Sequence, residues 1–262
     1  VGVSGKNFIT NPYVVAHQCT IADVGYDGNM NFELLVAQQP DIVLLYGVTG
    51  ACTMESKLDE LGIPYIYIGE YVEEDPLGKA EWLIALAEIV GLRQQGQTYF
   101  SELPQRYEQL KSMAASAHTP APKVMLNTPY ADSWFMPSTT SYMARLIADA
   151  GGDYIYKRNT SNHSLPIDME DAALLTTQAD VWINVGNVNS VADLCRQFPK
   201  FAQMPCVQRG EVYNCDKRRV TGGGNDYWES GVVHPDVILR DLIKIFHPEL
   251  VSEEFVYYRK IE

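Results

Sequence analysis

The stretch from Asn31 to Gly47 reads NFELLVAQQPDIVLLYG, and it decides the fold of this chain. Its first half carries apolar residues at helical spacing, and Pro40 and Asp41 end that helical pattern. The run from Ile42 to Tyr46 is continuously apolar, as is typical of a parallel strand covered on both faces. The stretch therefore predicts a helix followed by a buried strand, with Gly47 at the carboxyl end of the strand.

A second stretch, from Asp168 to Gly186, has the same order of features and reads DMEDAALLTTQADVWINVG. A glutamate lies near the start of a helical pattern, and a turn with aspartate leads into a β-like run. The two stretches differ in spacing, because Glu33 precedes Asp41 by eight residues and Glu170 precedes Asp180 by ten. Two such stretches, far apart in one chain, predict two similar halves.

Strand and helix patterns alternate in both halves, which predicts an α/β fold of two Rossmann-like parallel-sheet lobes joined by a long helix, with a ligand cleft between the lobes. In the first half, Gly62 and Pro64 precede a second apolar strand from Tyr65 to Ile68. We predict an N-terminal lobe over residues 1–92, a connecting helix over 93–118 with a kink or break at Pro104, and a C-terminal lobe over 119–262.

Composition excludes several classes of function. The net charge of -13 argues against a nucleic-acid partner, since phosphate binding needs clustered cations and the longest basic run is Lys217 to Arg219. The five cysteines form no CxxC pair, and the five histidines show no HxH or HExxH spacing. We therefore predict no resident metal and no cofactor.

Ligands of open parallel sheets bind beyond the carboxyl ends of the strands, so the loops at those ends are the candidate site. Their aromatic and cationic side chains suit a large planar ligand that bears negative charge. Each of these side chains taken singly is better explained by packing or solvation than by ligand binding, and only their clustering favours a site. The candidate ligand-binding residues are Tyr46, Tyr71, Tyr130, Trp134, Met136, Arg218, Arg219, Tyr227 and Trp228.

Glu33 and Glu170 form a separate candidate pair, one in each predicted lobe. A carboxylate near a helix N-terminus is favoured by the helix dipole, and this effect is worth less than ~1 kcal/mol. That effect accounts for one glutamate. The repetition at equivalent positions would suit a symmetric partner that touches both lobes.

Five stretches taken together carry a family resemblance: IADVGYDGNMNFELLVAQQPDIVLLYG (21–47), KLDELGIPYIYIGEY (57–71), DAGGDYIY (149–156), DMEDAALLTTQADVWIN (168–184) and NDYWESGVVHPDVILRDLIKIFHPEL (225–250). In this order they resemble the periplasmic substrate-binding proteins of ABC importers for iron-siderophores, haem and cobalamin, the helix-linked type with two α/β lobes.

The resemblance implies a protein that is not an enzyme and captures a metal-chelate ligand between its lobes. It further implies delivery to a membrane permease whose two subunits dock through arginines onto one glutamate per lobe, and these glutamates match Glu33 and Glu170. The unequal spacing leaves Asp168 or Asp171 as alternatives to Glu170. The implied location is the periplasm or the outer face of the cytoplasmic membrane, free or lipid-anchored.

The chain departs from the family pattern at its start, because family members have a strand and a helix upstream of the segment that matches VGVSGKN. We therefore expect an incomplete N-terminal lobe. An exposed sheet edge or apolar face would favour self-association.

Two other classes of function stay open at the level of sequence. A metallocluster enzyme or assembly protein on the same two-lobed architecture would bring some of Cys52, Cys195, Cys206 and Cys215 together with a histidine at the cleft. A carrier of free metal ions would need three or four histidine and carboxylate ligands that converge between the lobes.

Overall fold

The computed structural model describes residues 1–26, 29–47 and 54–262. The chain divides into two compact units. The first comprises Val1–Val72 and Arg219–Ser230, and the second comprises Glu73–Arg218 and Gly231–Glu262. The segment Arg219–Ser230, here called the return segment, therefore belongs with the N-terminal residues although it follows most of the second unit in sequence.

The first unit contains two short parallel strand pairs, β1 with β2 and β3 with β4. Helices precede β2, β3 and β4, so the strand–helix alternation expected from sequence is present. The elements are β1 (Gly2–Val3), α1 (Pro12–Ala16), β2 (Ala22–Asp23), α2 (Phe32–Ala37), β3 (Val43–Tyr46), α3 (Glu55–Leu61) and β4 (Tyr65–Ile68).

The β3–β4 pair is buried on one face only. Leu45 is 3% exposed and packs in a cluster with Leu35 and Leu58. The alternate residues Leu44 and Tyr46 are 48% and 52% exposed, because successive side chains of a strand point to opposite faces. Within the described residues, the prediction of a strand covered on both faces is wrong for β3, since Leu44 and Tyr46 stay about half exposed on the second face.

The return segment packs against the N-terminal residues through a run of glycines. A Cβ atom at Gly222 would overlap the carbonyl oxygen of Asn7, and one at Gly224 would overlap that of Phe8. Glycine is therefore required at both positions by the close approach of two backbones. This close approach gives the glycine run a structural role.

The second unit is built on a five-stranded sheet of order β11-β10-β9-β5-β7, parallel except for β11, with a separate antiparallel pair, β6 and β8. The elements are α4 (Pro76–Ile89), α5 (Arg93–Ser101), α6 (Leu103–Ala115), β5 (Lys123–Leu126), β6 (Trp134–Met136), α7 (Tyr142–Asp149), β7 (Asp153–Tyr154), β8 (Leu165–Ile167), α8 (Met169–Thr176), β9 (Val181–Ile183), α9 (Val191–Gln197), α10 (Pro205–Gln208), β10 (Val212–Asn214), α11 (Pro235–Phe246) and β11 (Arg259–Lys260).

The predicted long helix is two helices, α5 and α6, and the break lies next to Pro104 as expected. Proline is accommodated in the first turn of α6, where its missing N–H costs no helical hydrogen bond. Both helices belong to the second unit. Their role as a connection between two lobes remains a prediction.

The α/β fold with parallel strands in both units is confirmed. The antiparallel β6–β8 pair and the edge strand β11 were not anticipated. No helix within the described ranges combines the length and the apolar character that crossing a membrane requires.

Candidate functional site

Three neighbouring strands of the second unit end at asparagines. Asn127 follows β5, Asn184 follows β9, and Asn214 is the last residue of β10. Asn127 and Asn184 have φ angles of 65° and 59°, in the left-handed region that asparagine tolerates better than most residues. Asn184 Oδ1 accepts a hydrogen bond from the Tyr258 hydroxyl at 2.9 Å, and Asn214 Nδ2 donates to the Gly186 oxygen at 2.7 Å. Side-chain hydrogen bonds of Asn184 and Asn214 therefore hold the carboxyl end of the sheet, from which the loops leave.

This row of asparagines was not predicted, although the sequence carries a signal for it. Each of the three strands ends in two apolar or aromatic residues and an asparagine: MLN, WIN and VYN. Because the strands are parallel, such endings fall along one edge of the sheet, at the end where ligands bind in this class of fold.

The structure corrects the assignment of Trp134 and Met136. Both side chains have no exposed surface, and Trp134 Nε1 donates to the Leu126 oxygen at 3.0 Å. The Trp134 ring centroid lies 5.5 Å from that of Trp182, inside the core. The two residues are core residues, so we withdraw them from the ligand surface.

Tyr130 and Phe135, at and just before β6, have exposed aromatic side chains. Tyr130 is 78% exposed in the turn before β6. Phe135 is 44% exposed, because strand alternation points it away from the core that holds its two neighbours. Phe135 is therefore an addition to the candidate surface. Sequence reasoning could have found it only by predicting that WFM is a strand, since alternation then exposes the middle residue.

Tyr46 and Tyr71 come together at the carboxyl ends of β3 and β4 in the first unit. Their ring centroids are 4.4 Å apart, and the Tyr71 hydroxyl donates to the Gly47 oxygen at 2.6 Å. The Tyr46 hydroxyl donates to Glu70 Oε1 at 3.2 Å. Burial, together with the Glu70 carboxylate, raises the pKa of Tyr46 above its usual range, so the phenol stays a neutral donor.

Trp228 is held on the first unit by the residues on either side of it. Its indole is 63% exposed, whereas Tyr227 is only 2% exposed, and the two ring centroids lie 4.7 Å apart. The Glu229 carboxylate accepts from the backbone N–H groups of Thr10 at 2.6 Å and Asn11 at 3.1 Å. Tyr227 is thus a support beneath Trp228, and Trp228 alone of the pair offers surface to a ligand.

Arg218 and Arg219 are both exposed, but they belong to different units. The Arg218 guanidinium lies 5.8 Å from the centre of the Tyr257 ring in the second unit. Arg219 begins the return segment and pairs through its backbone with Asn225.

The first unit exposes further aromatic residues that were not among the predicted ligand-binding residues. Phe8, Tyr13 and Tyr26 are 54%, 70% and 50% exposed. The ring centroids of Phe8 and Tyr26 are 6.5 Å apart, and a Cβ atom at Gly223 would contact the Phe8 ring at 3.4 Å. Phe8 and Tyr26 follow β1 and β2, so they too lie beyond the carboxyl ends of parallel strands.

Glu33 and Glu170 occupy the same position in their helices, because each is the second residue, after an Asx cap. The Asn31 side chain accepts from the Leu34 N–H at 2.9 Å, and the Asp168 side chain accepts from the Glu170 N–H at 2.9 Å. Both glutamates are exposed, and neither side-chain carboxylate has a hydrogen bond or ion pair with any residue that the structure describes.

The two alternatives to Glu170 are already engaged. Asp168 is the cap of α8, and Asp171 pairs with the Arg158 guanidinium at 3.1 Å. The spacing mismatch also has a simple origin: α8 has eight residues and α2 has six, which accounts for the difference between ten and eight. The extra residues follow the glutamate and leave its position at the helix start unchanged.

Two of the described cysteines, Cys206 and Cys215, are buried. Burial raises the pKa of Cys206 to about 11 and that of Cys215 to about 12, as is usual for thiols in apolar surroundings. Cys52 lies outside the described residues. Within the described ranges, no three His, Cys, Asp or Glu side chains are grouped so as to hold a metal ion.

Comparison with known proteins identifies the family. A family model described as periplasmic binding protein matches residues 1–219. Two lipoproteins of Methanocaldococcus jannaschii, both named as uncharacterized, are similar to the chain. One is 28% identical, and the match covers 87% of this chain and 53% of the relative. The other is 25% identical, and the match covers 92% of this chain and 62% of the relative. The chain therefore spans little more than half of these relatives.

Among solved structures, a periplasmic haem-binding protein from Pseudomonas aeruginosa superposes with a TM-score of 0.75. The match covers all of this chain and 90% of the other at 18% identity, so it concerns the fold. Together with the family match over residues 1–219, it agrees with the parallel α/β units described above. The chain belongs to the periplasmic binding protein family.

Proposed function

We propose that this protein is the substrate-binding component of an ABC importer, which captures an iron-siderophore, haem or cobalamin-type ligand and delivers it to a membrane permease. The observation that carries the proposal is the pair Glu33 and Glu170. Each is the exposed second residue of a capped helix, one in each unit, and neither carboxylate has a partner among the described residues.

The glutamates suit docking because their charge is available. An exposed carboxylate at the start of a helix gains little for folding, and it can form a bidentate pair with an arginine of a partner. Two such groups on two similar units match a permease with two similar subunits. In this proposal the docking residues are Glu33 and Glu170, and the caps Asn31 and Asp168 hold their helix starts in place.

The ligand part of the proposal rests on aromatic side chains. Tyr46, Tyr130 and Trp228 are each more than half exposed, so their rings are available to a ligand. Such rings stack on flat ligands, and the exposed Arg218 and Arg219 would pair with ligand carboxylates or phosphates. Tyr71 supports Tyr46 in this scheme, as Tyr227 supports Trp228.

The proposal includes an extracytoplasmic location and no enzymatic activity. The family is one of periplasmic binding proteins, and two relatives are named as lipoproteins. We propose the same setting here, on the outer face of the cytoplasmic membrane or in the periplasm, with or without a lipid anchor.

A titration tests ligand capture. Haemin, cobalamin and a ferric siderophore are added in turn to the protein while tryptophan fluorescence is followed. We expect one of them to quench saturably, and Trp228→Phe to remove most of that quenching. Trp82→Phe is the matched control, since Trp82 hydrogen-bonds to Glu73 in the second unit and should leave the quenching unchanged. No saturable quenching by any of the three would contradict capture of a metal chelate.

Self-association through the first unit is a separate proposal. It is supported by the exposed apolar face of the β3–β4 pair, where Leu44 and Ile66 are 48% and 40% exposed. Sedimentation at high protein concentration should give a dimer that Leu44→Lys dissociates. A clean monomer of the unaltered protein would contradict this proposal and leave ligand capture untouched.

A further inference from the structure

The two helices that carry the candidate glutamates also expose aliphatic side chains one turn farther along. Glu33 and Glu170 are each followed, after three and four residues, by two aliphatic residues. All four of these residues are exposed, and the two large ones, Val36 and Leu174, are 44% and 66% exposed. We call them the aliphatic pairs: Val36 with Ala37 in α2, and Ala173 with Leu174 in α8.

Each aliphatic pair lies on the same helix face as its glutamate, because residues three and four apart on a helix are neighbours on its surface. Other residues of these helices are buried within the units: Leu35 in α2, and Ala172 and Thr176 in α8. The carboxylate and the aliphatic pair therefore form one continuous exposed surface on each helix, here called the glutamate face.

The repetition of this surface calls for an explanation that a single exposed residue would not. Scattered aliphatic residues are normal on protein surfaces. The solvent face of an amphipathic helix, however, is usually polar, and here both faces combine a carboxylate with one large and one small aliphatic side chain. The large one is the first of its pair in α2 and the second in α8. The two glutamate faces are thus alike in chemistry without being identical in shape.

We propose that the aliphatic pairs are part of the surface that binds the permease. This inference rests on the proposed function, and it adds an apolar contact to each ion pair. In each glutamate face, the glutamate pairs with an arginine of one permease subunit, and the aliphatic pair packs against an apolar side chain about 5 Å away, one helical turn along. The partner chemistry is an arginine beside an apolar residue, once in each of two similar subunits.

The charge and the apolar contact support each other in such an interface. Packing of the aliphatic pair excludes water from the neighbouring ion pair, and an ion pair is stronger where water is excluded. The two contributions respond differently to salt, because salt screens exposed charges, whereas burial of apolar surface does not depend on charge. Docking should therefore keep a salt-resistant part that depends on Val36 and Leu174.

The test measures binding of the protein, without added ligand, to the cognate permease in proteoliposomes. The double variant Val36→Ser with Leu174→Ser keeps both glutamates and removes the two large aliphatic side chains. We expect its affinity for the permease to fall by a factor of at least ~10, because both side chains lose apolar contacts. Its melting temperature should stay that of the unaltered protein, since both residues are exposed.

The matched control is the double variant Val72→Ser with Val90→Ser. These two valines are both 66% exposed, lie one in each unit, and are outside α2 and α8. The control variant removes a similar amount of exposed aliphatic surface away from the glutamates. It should bind the permease as the unaltered protein does.

A salt series on the unaltered protein needs no variant. Its binding to the permease in low salt is compared with its binding in about 1 M NaCl, where charges are screened beyond roughly 3 Å. We expect a measurable affinity to remain in high salt, and the variant Val36→Ser with Leu174→Ser to lose that remainder.

The variant Glu33→Ala with Glu170→Ala separates failure of this inference from failure of the proposed function. Loss of docking in that variant, with unchanged docking in the aliphatic variant, would overturn the inference and leave the role of the glutamates intact. Equal weakening in the control variant, or complete loss of binding by the unaltered protein in high salt, overturns the inference as well. Absence of binding by the unaltered protein in low salt contradicts the proposed function, and this inference with it.

Discussion

The helix–strand stretches α2–β3 and α8–β9 have the same order of elements, yet their strands are buried differently. All three residues of β9 are buried, whereas Leu44 and Tyr46 of β3 are about half exposed. The strand β9 has β5 and β10 as neighbours in a five-stranded sheet, whereas β3 pairs with β4 alone among the strands of the described residues. An apolar run can therefore predict a strand, while the number of covered faces depends on what packs around that strand.

The two stretches agree at their helix starts. In both, an Asx cap is followed by an exposed glutamate at the second helical position. The agreement survives a two-residue difference in helix length and a large difference in strand burial. We infer that the helix starts, and not the strands, are the parts of the two units that share a role in the proposed function.

The largest expected effect separates the two strands. Trp182→Ala in β9 should lower the free energy of unfolding by about 3–5 kcal/mol, because removal of a fully buried aromatic side chain leaves a cavity. Leu44→Ala in β3 is the matched change and should cost about 1 kcal/mol or less, since half of that side chain is exposed. Urea denaturation followed by circular dichroism measures both. Equal losses in the free energy of unfolding would mean that the exposed face of β3 is covered in solution.

The caps should give an intermediate effect in both stretches. Asp168→Ala and Asn31→Ala should each cost about 1 kcal/mol, because the first turn loses its side-chain acceptor. Asp168 should cost the more of the two, since it accepts from two backbone N–H groups and Asn31 from one. The same denaturation experiment decides the order, and the reverse order would contradict the link between the cost and the number of capping hydrogen bonds.

The smallest effect on stability is expected at the glutamates. Glu33→Ala and Glu170→Ala should each change the free energy of unfolding by no more than about 0.5 kcal/mol, as is usual for exposed residues without partners. Asp171→Ala is a neighbouring control that loses an exposed ion pair with Arg158, worth about 1 kcal/mol at most. Melting curves of the three variants test this, and a marked loss in either glutamate variant would indicate a structural role.

Local patterns predicted much of the chain. The strand Tyr65–Ile68 has the bounds that its apolar run indicates, and the helix break lies next to Pro104. Both features depend on residues that are close in sequence. The equivalent positions of Glu33 and Glu170 could likewise be predicted from sequence, and the choice of Glu170 over its acidic neighbours as a docking residue remains a proposal.

Features that depend on distant residues could not be predicted in this way. The burial of Trp134 follows from its strand being paired with β8, some thirty residues later, and from its contact with Trp182. Gly222 and Gly224 are explained only by the backbone of Asn7 and Phe8, more than two hundred residues earlier. Composition and periodicity carry no information about such long-range contacts.

The functional pairing of Glu33 with Glu170 can be tested by transport into proteoliposomes that contain the cognate permease. The double variant Glu33→Ala with Glu170→Ala should bind the chelate as tightly as the unaltered protein and lose uptake, while Asp171→Ala keeps both. Uptake at the unaltered rate by the double variant would contradict the docking role, and a loss of chelate affinity would place the two glutamates in the ligand site instead.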